Sequence, residues 1–306
     1  MSFGGLSLRD IEYVVSVATT GSFTAAAEEC GVAQPSLSAQ VRKVERQLGV
    51  VLFERAGRSV RVTAAGAAVI EQARSVLGEA RRMFDVARGP SDPLDGLLRL
   101  GVIATLGPYL IPHLIGPLRD SFPGLRLVLH EGLTADLHAQ VLAGELDAVL
   151  LSLPLDDERL AGKEVLFEPF VGMLPIHSEL AMRNHLELDD LDGADLILME
   201  EGHCLRDQAL HFCGTARPAR HAASLETLRH LVAAGIGHSL LPRLAVSSAP
   251  MLDSQIRYMP LDTNVGRVIG LVWRATDPRG AAYRRLAAFI ATLPLPGVRM
   301  FGGVQP

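Results

Sequence analysis

The chain has little cysteine, little tryptophan and no long apolar run. Its 306 residues include three cysteines and one tryptophan. So few cysteines in a chain of this length exclude the dense disulfide framework of small secreted domains. No apolar stretch approaches the roughly 20 residues of a membrane-spanning helix, and residues 1–9 lack the basic and apolar regions of a signal peptide. We therefore expect a cytoplasmic protein, without a membrane partner, whose thiols are kept reduced.

The chain also lacks the overall positive charge of many nucleic-acid-binding proteins, since its formal net charge is -5. The charge is unevenly distributed, however. Residues 1–90 hold 11 Lys or Arg and 9 Asp or Glu, a balance of +2, whereas residues 91–306 hold 18 and 25, a balance of -7. A cluster of basic side chains within residues 42–61 indicates a local phosphate-binding surface. Its members are Arg42, Lys43, Arg46, Arg55, Arg58 and Arg61.

The first sixty residues have the pattern of a winged helix-turn-helix. Apolar spacing predicts a helix over 8–18, the N-cap Ser22 begins a second helix, and Pro35 lies in the first turn of a third. A buried stripe of Leu37, Val41, Val44 and Leu48 would leave the polar side chains of this third helix to face the major groove. A short hairpin follows as the wing. The predicted DNA-binding residues are Gln34, Pro35, Ser36, Ser38, Gln40, Arg42, Arg55 and Arg58. The alternative is a small helical domain with a solvated basic face.

The middle of the chain predicts a linker followed by an α/β domain. Thr63 caps a long predicted helix over 64–87, whose apolar residues have the three-four spacing of a helix that pairs with its copy in a dimer. The residues Gly89-Pro90-Ser91-Asp92-Pro93 interrupt it and indicate a hinge. From Leu97 onward strands and helices alternate, which predicts a mainly parallel sheet covered by helices.

The strongest candidate for chemistry is the segment from Glu200 to Cys213. Gly202 marks a turn and the residues after it are good helix formers, so Cys204 is expected in the first turn of a helix. Backbone N–H groups and the positive end of the helix dipole favour a thiolate there, and His203 and Arg206 would add donors. The thiolate is the form that attacks peroxide or a disulfide. The alternative is a half-buried thiol among solvated charges, and these residues alone do not decide between the two.

The spacing of the two cysteines in this segment indicates a switch. Cys213 follows Cys204 by nine positions, a rise of about 13.5 Å in a continuous helix, with the two sulfurs on opposite sides. A disulfide tolerates a Cα separation of at most about 7 Å. The helix and the bond therefore exclude each other, so a bond between these cysteines would require the helix to unwind.

Polar residues follow three of the predicted strands. Thr105 comes just after the first strand, Thr134 after the second, and His203 with Cys204 after a strand over 196–199. Ligand sites of α/β sheets lie at the carboxyl ends of strands, against helix N-termini. We therefore expect these side chains to converge on one pocket.

Five motifs are spread over nearly the whole chain. Four of them are Ser22-Phe23-Thr24-Ala25-Ala26-Ala27, Gln34-Pro35-Ser36-Leu37-Ser38, Leu52-Phe53-Glu54-Arg55 and Gly144-Glu145-Leu146-Asp147. The fifth is Gly202-His203-Cys204-Leu205-Arg206-Asp207-Gln208-Ala209 with Cys213. In the first four motifs the chain resembles the LysR-type bacterial transcription regulators, and in the fifth it is similar to the peroxide-sensing members of that family.

The resemblance implies a domain plan. It consists of a winged helix-turn-helix over 1–63, a dimerising linker helix over 64–89, a hinge over 90–93, and a regulatory domain over 94–306. That domain would have two α/β subdomains, 94–165 plus 269–306 and 166–268, arranged as in periplasmic binding proteins. The connection from Gly214 to Ala223, which includes Pro218, is shorter than is usual in the family.

The resemblance also implies a function, a regulator rather than an enzyme. Its partners would be double-stranded operator DNA, RNA polymerase and further copies of the chain, as a homodimer or homotetramer. The signal would be hydrogen peroxide, without a cofactor. Cys204 would react with the peroxide and Cys213 would resolve it. The residues expected around the peroxide are Thr105, Thr134, His203, Asp207 and Arg267.

Three other functions are alternatives to this one. The same architecture suits a regulator that binds a small organic effector between its subdomains, with incidental thiols. A peroxidase would turn over peroxide without DNA, which the helix-turn-helix pattern disfavours. A metal site of His203, Cys204, His211 and Cys213 lacks the short Cys-x₂-Cys spacing expected for zinc.

Overall fold

The computed structural model describes residues 5–56, 59–87, 94–191, 193, 195–213, 220–248, 250–261 and 264–301. The chain divides into two units, residues 1–89 with 142–145 and residues 90–141 with 146–306. The predicted hinge over 90–93 lies outside the described residues.

The N-terminal unit begins with the predicted helices, α1 (Leu8–Thr20), α2 (Phe23–Glu29) and α3 (Gln34–Leu48). The start of α1 is fixed by a reciprocal cap, in which Asp10 N donates to Ser7 Oγ at 3.2 Å and Ser7 N donates to Asp10 Oδ2 at 3.0 Å. Ser22 caps α2 as predicted. The apolar faces of these helices form one core, which consists of Tyr13, Val14, Val17, Ala26, Ala27, Leu37, Val41, Val44, Leu52, Phe53 and Ile70.

Two expectations for α3 are wrong. Ser38, expected to face DNA, is only 4% exposed, whereas Leu48, expected in the core, is 43% exposed. The helical period explains Ser38, because it adjoins Leu37 on the face that packs on α1 and α2. Leu48 is the last residue of α3 and lies beyond that packed face. Pro35, Ser36 and Arg42 are exposed, while Gln34 and Gln40 are half-buried.

A hairpin and a long helix complete this unit, as predicted. Strands β1 (Phe53–Ala56) and β2 (Ser59–Val62) pair antiparallel, with Ala56 opposite Ser59. Arg58 and the side chain of Arg55 lie outside the described residues. The long helix α4 (Ala64–Ala87) starts where the Thr63 hydroxyl accepts from Gly66 N at 2.8 Å. Met83 and Phe84 on it are 61% and 60% exposed.

The second unit is built from alternating strands and helices. Short 3₁₀ turns lie at Leu180–Met182, Leu188–Leu191, Arg243–Ser248 and Pro250–Leu252. The other elements are β3 (Gly96–Ile103), α5 (Gly107–Ser121), β4 (Leu125–Gly132), α6 (Thr134–Ala143), β5 (Ala148–Leu153), β6 (Leu160–Pro175), β7 (Leu198–Met199), α7 (Cys204–Cys213), β8 (His221–Ala222), α8 (Leu225–Ala233), β9 (Ser239–Pro242), β10 (Ile256–Pro260), β11 (Gly266–Arg274), α9 (Gly280–Ile290) and β12 (Arg299–Met300).

The main sheet is mixed, so the expectation of a mainly parallel sheet is wrong. Its order is β10-β6-β11-β5-β3-β4, with β9 and β12 also paired to β6. Strand β3 is parallel to β4 and β5, but β11 runs antiparallel to both β5 and β6. The 16-residue strand β6 and the returning β11 account for the difference, because they carry the chain out of the parallel part and back. Their pairing shifts register between Ile269 and Gly270, next to the predicted subdomain boundary.

Apolar side chains on both sides of this sheet form a continuous core. Strands β6 and β11 pack against α9, whose Tyr283, Leu286 and Ile290 are fully buried. Within the described ranges, no helix combines the length and apolar character that crossing a membrane requires.

The wing depends on a carboxylate of α3. Glu45 Oε1 accepts from Leu52 N at 2.8 Å and from Phe53 N at 3.3 Å. We predict that Glu45→Ala leaves these two N–H groups unpaired, at a cost of about 1–3 kcal/mol, and speeds exchange of their amide hydrogens. Glu45→Gln keeps a carbonyl acceptor and serves as the control. If the amide hydrogens of Leu52 and Phe53 exchange at the same rate in the wild-type protein and in Glu45→Ala, the role given to Glu45 is wrong.

Candidate functional site

The two cysteines of interest lie at the two ends of one helix. Helix α7 spans ten residues, from Cys204 to Cys213, and both are thiols in this structure. Cys204 is half-buried, whereas Cys213 is only 3% exposed. The prediction of a helix that begins at Cys204 is confirmed, and nine helical steps separate the cysteines by about 13.5 Å along its axis.

Gly202 sets the position where α7 begins. Its φ of 94° lies in the left-handed region, which favours glycine. A Cβ at this position would lie 2.8 Å from Leu133 Cδ1, so a larger residue would also require the Leu133 side chain to shift. Gly202, which precedes His203 and Cys204, therefore lies beside Leu133, the residue before Thr134 and the start of α6.

Gln208 ties α7 to the sheet. Its Nε2 donates to Ser152 Oγ at 2.7 Å, and Ser152 lies on β5 opposite Ile269 of β11. Gln208 follows Cys204 by four residues, so both lie on the same side of α7. The amide oxygen of Gln208 is buried and has no hydrogen-bond partner among the described residues. Gln208 was not among the predicted site residues, although its helical spacing from Cys204 would have indicated it.

Thr105 and Arg267 meet in a buried polar network. Arg267 Nη1 donates to Thr105 Oγ1 at 2.8 Å, and Nη2 donates to the Thr105 carbonyl at 3.0 Å. On its other edge Arg267 Nε donates to Glu168 Oε2 at 2.9 Å. Because the Thr105 hydroxyl accepts from Arg267, its own proton remains available to a further acceptor. Arg267 is thus held by Thr105 and Glu168, and its expected position around the peroxide stays a prediction.

Thr134 lies at the same edge of the sheet as Thr105. Strands β3 and β4 are parallel, with Ile103 opposite Gly132, and each threonine follows two residues later. The Thr134 hydroxyl is buried and lacks a hydrogen-bond partner among the described residues. A buried hydroxyl and a buried amide oxygen without protein partners are costly. Each of these two atoms can accept a hydrogen bond from a small polar molecule, and the hydroxyl can also donate one.

His203 carries the clearest electrostatic perturbation in the segment. Burial lowers the pKa of His203, while the nearby charge of Glu200 and a hydrogen bond with the Ala223 backbone act in the opposite direction. The imidazole is therefore favoured in its neutral form next to Cys204. Arg206, which was expected to add positive charge here, instead donates to the Met199 carbonyl at 3.2 Å and contacts His221 Nδ1 at 3.0 Å.

The remaining predicted residues are less closely involved. Asp207 is exposed in the first turn of α7, where the helix dipole favours a carboxylate. Residues 214–219 of the connection after Cys213 lie outside the described part of the chain. Across the residues that the structure describes, no group of three or more His, Cys, Asp or Glu side chains is arranged to hold a metal ion.

Comparison with known families and proteins covers both units. Residues 8–67 match the bacterial regulatory helix-turn-helix proteins of the lysR family, and residues 91–293 match the LysR substrate binding domain. The DNA-binding transcriptional dual regulator OxyR of Escherichia coli strain K12 is 41% identical over 290 residues, which cover 93% of this chain and 95% of the relative.

Two solved structures resemble nearly the whole chain. Full-length OxyR from Pseudomonas aeruginosa, with a cysteine-to-aspartate substitution, has 35% identity and a TM-score of 0.76, covering 98% of this chain and 99% of that one. A cysteine-to-serine mutant of Corynebacterium glutamicum OxyR with bound hydrogen peroxide has 30% identity and a TM-score of 0.62, covering 93% and 91%. The similarity thus extends over both the helix-turn-helix and the α/β unit.

The environment of His203 predicts its titration. Since burial lowers its pKa, the neutral imidazole is favoured by folding, and its contribution to stability is lost as the pH falls through the folded pKa. We predict an NMR titration midpoint below the usual value of about 6.5. Glu200→Gln removes the opposing charge and lowers the midpoint further, whereas Glu201→Gln, a change of the adjacent exposed glutamate, has a smaller effect. A midpoint at or above the usual value would contradict the assignment.

Proposed function

Because this chain belongs to the LysR family of bacterial transcription regulators, we propose that it binds operator DNA and senses hydrogen peroxide through Cys204 and Cys213. The relatives reported above are transcription regulators rather than enzymes, so peroxide acts here as a signal. The observation that carries the proposal is the single helix α7, which begins at the half-buried Cys204 and ends at the buried Cys213.

The first step is attack of the Cys204 thiolate on one oxygen of hydrogen peroxide. An S–O bond forms and the O–O bond breaks, so the sulfur is oxidised to a sulfenic acid and the departing hydroxide becomes water on protonation. Cys204 is the first residue of α7, where helices have free backbone N–H groups and the positive end of their dipole. Thr105 retains a hydroxyl proton to donate towards the departing oxygen, and the Thr134 hydroxyl offers a second polar contact.

The second step joins the two sulfurs. The Cys213 thiolate attacks the sulfenic sulfur, an S–S bond forms, the S–O bond breaks, and the hydroxide leaves as water. The step requires α7 to unwind, which breaks the bond between Gln208 and Ser152 and withdraws Leu205, Ala209 and Cys213 from the core. Exposing a leucine alone costs about 1.5–3 kcal/mol. Peroxide reduction drives this rearrangement of the regulatory domain.

DNA recognition is assigned to α3 and the wing. The exposed Ser36 and Arg42, with Pro35, present polar and apolar groups suited to base edges and phosphates. The exposed Met83 and Phe84 of α4 suit pairing with a second copy of the chain. Two copies would bind two half-sites, and paired dimers would form a tetramer that recruits RNA polymerase when the regulatory domain changes shape.

We predict that stoichiometric peroxide under anaerobic conditions removes two thiols per chain and spares Cys30. Cys213→Ser should stop at the sulfenic acid, which a dimedone probe traps, while Cys204→Ser should keep its remaining thiols. Thiol titration with mass mapping of the disulfide measures both outcomes. Retention of all three thiols in the wild-type chain would overturn the sensing mechanism and favour a regulator that responds to an organic effector.

Two serines of α3 test the DNA assignment as a matched pair. Ser36 is exposed and Ser38 is buried on the same helix. Ser36→Ala should relax sequence preference at the base pair that it contacts, where a mismatch typically costs about 1–3 kcal/mol. Ser38→Ala should leave the preference unchanged. Binding selected from randomised duplexes at fixed salt measures this, and the reverse pattern would contradict the assignment.

A further inference from the structure

We propose that Glu168 is a positioning residue for the reaction of Cys204 with peroxide, acting through Arg267 on the hydroxyl of Thr105. The inference rests on the function proposed above and adds to it a residue that the sensor motif does not contain. Glu168 lies on β6, more than thirty positions before the cysteine segment in the chain.

The carboxylate of Glu168 is held on both of its oxygens. Its Oε2 lies 2.9 Å from Arg267 Nε and 2.8 Å from Nη2, and its Oε1 accepts from Leu244 N at 3.0 Å. The side chains of Glu168 and Arg267 are 1% and 0% exposed. A buried carboxylate on a strand that is otherwise largely apolar is costly unless it is paired and hydrogen-bonded. Here these contacts leave the ion pair little freedom to move.

The other edge of the guanidinium transmits this restraint to Thr105. Two N–H groups of Arg267 bind the hydroxyl and the carbonyl of the same threonine, at 2.8 Å and 3.0 Å. Because the guanidinium is planar and rigid, fixing its Nε edge against Glu168 fixes the direction of the edge that faces Thr105. Glu168 therefore fixes, through Arg267, the rotamer of Thr105 and with it the direction of the remaining hydroxyl proton.

Loss of this restraint would act on the reaction more than on the fold of the site. Glu168→Gln keeps the size of the side chain but removes its charge, so the buried guanidinium would be held less firmly on its Nε edge. A small displacement of a donor that faces the reacting oxygen lowers the rate of oxidation. The start of α7 is formed by backbone groups that the hydrogen bonds of Glu168, to Arg267 and Leu244, do not reach.

The experiment compares two reactions of Cys204 in the full-length chain with Cys213 replaced by serine. Oxidation by hydrogen peroxide needs a donor for the departing oxygen, whereas alkylation by iodoacetamide needs the thiolate alone. Glu168→Gln should slow the peroxide reaction by about tenfold or more and change the alkylation rate less than about twofold. Glu164→Gln, the same change at an exposed residue of β6, is the matched control and should affect neither.

A double-mutant cycle tests whether Glu168 acts through Thr105. In a Thr105→Val background, Glu168→Gln should cause little further loss of the peroxide rate, because the hydroxyl that it positions is absent. Independent, multiplying losses would overturn the inference. If Glu168→Gln does not fold, Glu168→Asp, which shortens the side chain but keeps its charge, is used in the same cycle and judged by the same criterion.

The outcomes separate this inference from the function on which it rests. If the thiols of the wild-type chain do not react with peroxide, both the proposed function and the inference about Glu168 are overturned. If the wild-type chain reacts, Glu168→Gln can still react equally fast with peroxide or lose the peroxide and alkylation reactions to the same degree. Either result would overturn the positioning role alone.

Discussion

Peroxide sensing by this chain depends on one geometric constraint, the length of α7. A ten-residue helix keeps its terminal residues about 13.5 Å apart along the axis, roughly twice the Cα separation that a disulfide allows. The helix therefore keeps Cys204 and Cys213 apart, and their covalent bond and the helix are alternative states. Chemistry at one half-buried sulfur becomes a change of shape because the second sulfur cannot be reached otherwise.

The surroundings of α7 combine a firmly held frame with a more weakly held helix. The frame is the buried network that joins Leu244, Glu168, Arg267 and Thr105 across β6, β11 and the end of β3. The helix is joined to that sheet by one described side-chain hydrogen bond, from Gln208 to Ser152, and by its apolar face. In the proposed mechanism, oxidation rearranges α7 and leaves this buried network in place.

Local patterns predicted local structure well. Helices α1 to α4, the wing, and the start of α7 after Gly202 follow from caps, turns and apolar spacing, because these signals act within a few residues. Tertiary contacts decided the rest. The antiparallel return of β11 depends on which strands it meets in the fold, and the short-range pattern of β11 itself does not contain that information.

The candidate site, like the fold, was predicted where short-range patterns decide and missed where tertiary contacts decide. The motif around Cys204 indicated both sulfurs and His203, but it could not place partners that are distant in the chain. Glu168 and Arg267 are 99 positions apart and meet only through the pairing of β6 with β11. Arg206 illustrates the converse, since proximity in sequence suggested a contact with Cys204 and the fold directs its guanidinium to Met199 and His221.

Amide hydrogen exchange across α7 tests the central constraint most directly. The protein is oxidised with one equivalent of peroxide, the Cys204–Cys213 bond is verified by mass spectrometry, and protection of the amides of residues 208–213 is compared before oxidation, after it, and after reduction with dithiothreitol. We predict that these amides are protected in the reduced protein, lose their protection once the disulfide forms, and regain it on reduction. A disulfide that forms while these amides remain fully protected would contradict this prediction.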